Sequence, residues 1–187
     1  MIDLHLHTTA SDGACAPATL VQRAWMAGLR TIAVTDHDTT GGLAEAARAA
    51  SSYGIRFVSG IEITAVVERR DVHLLGYFFD PEDEMFNQFL RTQRRARVER
   101  VYEIATRLAS LGCAIDVEAL LRAVPGDSGR SVGRPAVADA LVAAGGAKPY
   151  PNNGKKYVAD PGRIGPVTGS PLPPFVEMRS WGSYVNL

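Results

Sequence analysis

This chain lacks any imbalance of charge: across its 187 residues, 20 Lys and Arg face 20 Asp and Glu. Without an excess of either sign, no global field recruits nucleic acid or membrane, and duplex nucleic acid is not an expected partner. Any anion site must come from a local cluster. Cysteine is scarce as well. Cys15 and Cys113 stand alone, with no metal or redox spacing between them. A reducing, cytoplasmic compartment is the simplest reading. Polar residues begin at Asp3, so the N-terminus does not read as a secretory signal. No apolar run is long enough to span a bilayer. Histidine is sparse too: there are four, and none after His73.

What is present is an ordinary globular composition, 46% hydrophobic and 21% charged, in a chain long enough for one real core. Residues 1–80 alternate short apolar runs with helical patterns. Ile2 to Leu6 reads as a strand. Pro17 to Ala27 reads as a helix, opened by a proline and stopped by Gly28. TIAVT, Thr31 to Thr35, is a short β-branched strand. Leu43 to Tyr53 is an alanine-rich helix ended by Gly54. Ile55 to Ile63 and Val72 to Phe79 read as two more strands. This rhythm argues for an α/β fold on a parallel sheet.

Residues 81–146 change texture and read as a small helical insertion. Glu84 to Leu111 carries one long helical pattern, Asp116 can cap a short helix through Val124, and Ser131 to Ala144 forms a third. Residues 147–187 are expected to be irregular, because from Lys148 onward they hold seven of the eleven prolines and keep no periodicity.

The histidines carry the chemistry. His5 and His7 are two apart on a strand, so both leave the same face. Asp12 follows in HLHTTASDG. His37 sits in TDHD, Glu62 in SGIEIT and His73 in DVHLLGY. Strand ends thus deliver six donors to the C-terminal end of a parallel sheet, where such folds build their sites. A single histidine is more often structural than a ligand, but a core rarely needs four beside strand ends. Imidazole with carboxylate suits manganese, zinc or iron. Two ions about 3.5–4 Å apart can clamp both oxygens of a phosphoryl displacement, and a bound water becomes hydroxide near pH ~7. Asp36 or Asp38 could orient His37 through its second nitrogen. Arg94, Arg95, Arg97 and Arg100 crowd one helical segment, and Arg130 and Arg134 flank the third helix. Guanidinium forks match phosphate, although Glu99 and Glu103 would equally suit a solvated helix face.

HLHTTASDG, TDHD, GIEI and VHLLGY, in this order, resemble the polymerase and histidinol phosphatase (PHP) superfamily over residues 1 to about 146. RRARVER followed by GRP is most similar to its stand-alone bacterial branch of 3′,5′-nucleotide phosphatases and 5′-to-3′ exoribonucleases. The resemblance implies a distorted (β/α)7 barrel, here incomplete. It implies two or three divalent ions, usually manganese, held by His5, His7, Asp12, His37, Glu62 and His73. It places Asp12 and His37 in catalysis, and Arg97 and Arg134 on the substrate phosphate. The expected substrate is a 3′,5′-bisphosphonucleotide or a short RNA end, attacked by metal-bound hydroxide. A catalytically weak metal-binding fragment and a histidinol-phosphatase-like enzyme are the alternatives.

The sequence departs from the family twice. Relatives often read GRPH, but Ala136 follows Pro135 here. A barrel typically needs about 250 residues, and the His-Pro and Asp-x-His motifs that the family carries late have no counterpart after His73. The chain therefore reads as C-terminally truncated, with an open sheet edge through which it could self-associate.

Overall fold

The computed structural model describes residues 1–68, 70–122, 129–149 and 157–159. Of these, 1–68, 70–97 and 129–132 belong to one compact unit, and 98–122, 133–149 and 157–159 to a second.

The first unit is an α/β half-barrel. Its elements are β1 (Ile2–Leu6), α1 (Pro17–Met26), β2 (Thr31–Val34), α2 (Leu43–Ser52), β3 (Arg56–Val67), β4 (Arg70–Tyr77) and the first part of α3 (Glu84–Ser110). Pro17 opens α1, where its missing N–H costs nothing. Gly28, at φ +77, stops α1 and turns the chain so that the Leu29 N–H reaches Ala24 O at 3.0 Å. The two helices and three strands share a core of Leu6, Val21, Ala24, Leu29, Ile32, Val34, Leu43, Ala46, Ala50 and Ile55. Ala46 and Ala50 give α2 a small-residue face toward that core, and both are fully buried.

The sheet runs β1-β2-β3-β4. β1–β2 and β2–β3 are parallel, as the sequence suggests. β4 is not: it pairs antiparallel with β3, from Gly60↔Tyr77 to Val67↔Arg70. The expected all-parallel sheet is corrected here. Only positions 68 and 69 link the two strands, and a parallel return needs a crossover of about a dozen residues. β3 also runs four residues beyond the expected Ile63, to Val67, so what reads as a loop is the hairpin itself. The sheet curls enough for the Tyr77 hydroxyl on β4 to donate to Leu4 O on β1 at 2.7 Å.

The second unit contains the rest of α3, then α4 (Val117–Arg122), α5 (Arg134–Ala143), β5 (Ala147–Pro149) and β6 (Tyr157–Ala159). Asp116 caps α4 as its position suggests, accepting from the Ala119 N–H at 2.8 Å. α5 starts at Arg134 rather than Ser131. Gly133 is extended and Pro135 occupies the first turn, which sets the start. β5 and β6 form an antiparallel pair in the segment expected to be irregular. Residues 160–187 lie outside the described residues.

Candidate metal centre

The site grows from the way three neighbouring segments end. His5 on β1 and His7, one residue past its end, both reach Glu62 Oε2, and the loop that follows carries Asp12. β2 ends at Val34, and the chain keeps beside β3 through an isolated bridge between His37 and Glu62. The Asp38 N–H donates to Glu62 O at 3.0 Å. His73 pairs with Thr64 across the hairpin and is therefore diagonal to Glu62 on the same face. His73 reaches the cluster from mid-strand, not from a strand end.

Glu62 is the hub. Its Oε2 lies 2.9 Å from His5 Nε2, 3.0 Å from His7 Nε2 and 3.8 Å from His37 Nδ1. Its Oε1 bonds His73 Nδ1. Asp12 sits on the other side, 3.3 Å from His7 Nδ1 and 3.7 Å from His37 Nε2. Successive imidazole centroids from His5 to His7, His37 and His73 are 5.1, 4.8 and 5.0 Å apart. The side chains of His7, His37 and Glu62 are less than one-tenth exposed, whereas His5 is 47% and His73 30% exposed. The cluster thus opens to solvent along its His5 and His73 side.

The six residues form three overlapping triads: His5, His7 and Glu62; His7, Asp12 and His37; His37, Glu62 and His73. Within each, the donor atoms lie within 4.8 Å of one another. Each triad shares a corner with the other two, an arrangement suited to more than one cation. Two observations show that the residues fit a divalent centre. Buried His37 Nδ1 has no hydrogen-bond partner among the described residues, which an otherwise satisfied core histidine would have. The donors are also the mixed imidazole and carboxylate set that borderline divalent ions prefer.

Electrostatics prepare the donors differently. Burial pushes His37 down to about 4, the nearby Arg97 charge adds to this, and Asp12 and Glu62 oppose it. Its ring is neutral at pH 7. Burial also disfavours a charged His7, but the hydrogen bond to Glu62 and the charges of Asp12, Glu62 and Asp36 outweigh it, so His7 titrates above its ordinary value. Burial would raise Glu62; the hydrogen bonds from His7 and His5 and the His37 charge hold it below the carboxylate range instead.

Neither neighbouring aspartate orients His37, contrary to expectation. Asp36 accepts from Thr8 and Ser11. Asp38, with φ +51, accepts the Thr64 N–H at 2.9 Å and pairs with Arg97 Nε at 2.5 Å. Arg97 also donates to Thr64 Oγ1 at 2.5 Å and to Val132 O at 3.3 Å. Three of its five N–H groups are engaged. Arg94 donates to Asp38 O at 3.0 Å and Arg130 to Thr9 O at 2.6 Å. Arg134 opens α5 in the second unit. Sequence reasoning missed Thr8, Ser11 and Thr64, whose only signal was hydroxyl residues set beside the motif positions.

A curled α/β sheet thus carries a ring of imidazoles around one buried carboxylate, a donor set suited to divalent cations. The family follows from comparison: the PHP domain model matches residues 3–123, and the chain belongs to that family. It is 36% identical over 167 residues to a 3′,5′-nucleoside bisphosphate phosphatase of Chromobacterium violaceum, covering 89% of this chain and 58% of that protein. It is 36% identical over 159 residues to the 5′-3′ exoribonuclease Rnm of Escherichia coli K12, covering 84% and 53%. A solved structure from Bifidobacterium adolescentis, assigned as a metal-dependent phosphoesterase, superposes with a TM-score of 0.69 at 40% identity. That match covers 77% of this chain and 50% of the other. The chain spans about half the length of the curated relatives it matches. No helix among the described residues is long and apolar enough to cross a membrane.

Proposed function

We propose that this chain is a metal-dependent phosphoesterase acting on small nucleotides, either 3′,5′-bisphosphonucleotides or short RNA ends. The observation that carries this is the buried Glu62 carboxylate ringed by four imidazoles with Asp12 alongside. The names of the similar proteins supply the substrate class. The curled sheet is read as the first half of a distorted (β/α)7 barrel.

His5, His7, Asp12, His37, Glu62 and His73 would hold two or three divalent ions, with manganese as the proposed metal. Bound there, the ions would make water nucleophilic near neutral pH and offset charge on the phosphoryl oxygens. The protein's own groups do the rest. Neutral His37 and ionised Glu62 need lose no proton at pH 7, whereas the raised value of His7 makes a cation compete with a proton for its ring. Asp12, whose Oδ2 lies 3.7 Å from His37 Nε2, is the proposed acceptor of a proton from the attacking water. Arg97 keeps two N–H groups for phosphate oxygens while Asp38 fixes its plane. Arg134 is proposed as a second phosphate ligand. Water adds to phosphorus, the ester P–O bond breaks, and the leaving oxygen departs as an alcohol with the proton that Asp12 took from the water. Self-association would run through β1 or β4, each with one strand neighbour among the described residues.

The test is phosphate release from a 3′,5′-bisphosphonucleotide by the manganese-loaded chain, beside a His7→Ala control. Release above that control is expected; equal rates would defeat the proposal.

A further inference from the structure

Two carboxylates outside the six donors flank His37 in sequence, each 1% exposed: Asp38 is engaged by Arg97, whereas Asp36 is not. Its hydrogen bonds ignore His37. Oδ1 accepts the Thr8 N–H at 2.7 Å and the Ser11 hydroxyl at 2.6 Å, and Oδ2 accepts the Thr8 hydroxyl at 2.6 Å. Both partners belong to the short loop between His7 and Asp12. Thr8 then organises that loop: its hydroxyl accepts the Ala10 N–H at 3.0 Å, and its carbonyl accepts from Ser11 and Gly13 at 3.1 and 2.9 Å.

Ser11 is the link to the chemistry. Its hydroxyl oxygen stands 3.5 Å from His7 Nδ1 and 3.4 Å from Asp12 Oδ1. His7 Nε2 faces Glu62 at 3.0 Å, so Nε2 is the nitrogen that points into the cluster. The proton of a neutral His7 then belongs on Nδ1, which needs an acceptor on its outer side. Two acceptors stand there: Asp12 Oδ1 at 3.3 Å and Ser11 Oγ, whose own proton is committed to Asp36 and which also lies beside Asp12. Gly42 makes room for this pair, since a Cβ added there would stand 2.8 Å from both Asp36 Oδ2 and Thr8 Oγ1.

We propose that Asp36, acting through Ser11, is a positioning residue that fixes His7 with Nε2 toward Glu62 and holds Asp12 beside it. This rests on the reading of the cluster as a metal centre. Outer partners of metal-bound histidines act in this way, and losing one typically weakens metal binding by about 10–100-fold.

The test uses the full chain with Mn2+ as the probe and compares wild type, Ser11→Ala, Ser11→Thr and Asp36→Asn. Manganese affinity is measured by calorimetry, and the His7 tautomer is read from ring ¹⁵N shifts in metal-free protein. Ser11→Ala and Asp36→Asn should bind manganese about tenfold or more weakly, with His7 losing its single Nδ1–H form. Ser11→Thr, which keeps the hydroxyl, should restore both. If Asp36→Asn does not fold, the Ser11 pair decides alone. Wild-type affinity and tautomer in Ser11→Ala would overturn this inference and leave the metal centre standing. Wild type that takes up no manganese would overturn both.

Discussion

His37 spends its burial on staying neutral. With an ordinary value of 6.5 and a folded value of about 4, the unfolded chain binds more protons here between those limits. Stability from this residue is therefore present above pH 6.5 and lost as pH falls toward 4. His7 works with the opposite sign: its raised value favours the fold below pH 6.5, and that contribution fades as pH rises through it. Metal-free His37→Gln should thus lose less stability than wild type between pH 7 and pH 5, by on the order of 1–2 kcal/mol. Urea denaturation at the two pH values checks the sign. Glu62→Gln addresses the other partner. With the hub charge gone, burial should win at His7 and bring its titration down, which proton NMR of the ring would read directly. The same variant should bind manganese at least tenfold more weakly in a dialysis measurement, because two of the three triads lose their shared carboxylate.

At the scale of elements, β3 is the strand that makes the site possible. Its first residues, from Arg56 to Ser59, pair parallel with β2, and from Gly60 onward it pairs antiparallel with β4. Gly60 stands at the changeover, where an added Cβ would meet Val34 O and Thr35 Cγ2 at 2.8 Å each. Gly60→Ala is expected to cost about 1–3 kcal/mol, seen as a lower denaturation midpoint. The sequence was readable for β1, β2, α1 and α2, where apolar runs and the stops at Gly28 and Gly54 agree with the structure to within a residue or two. The direction of β4 was not, because period-two alternation is the same in parallel and antiparallel strands. The two-residue link was hidden by ending β3 too early. The six donors stood out because they are rare residue types in short motifs, and the fold brings all six together. The role of Asp36 stayed hidden, since its partners Thr8 and Ser11 lie 28 and 25 positions away. Backbone pairing alone makes them neighbours.

For the whole molecule, the sheet order repeats the chain order, β1-β2-β3-β4, and a ligand that binds only the folded form adds stability by mass action. At a hundredfold excess over Kd this is about 2.7 kcal/mol. Manganese should therefore raise the thermal midpoint of wild type by several degrees, and that of His7→Ala much less, in a thermal melt with chelated protein as reference. The strand order has a further consequence, for biosynthesis. Each strand finds its partner in the one made just before it, and the sixth donor, His73, arrives on a hairpin closed by two residues. A ribosome that has released residues 1–97 has already delivered every donor and the arginine beside them. Nascent chains stalled at that stage are expected to gain protease resistance when Mn2+ is added. The cation would then be chosen during translation, from whatever ion pool the emerging chain meets first.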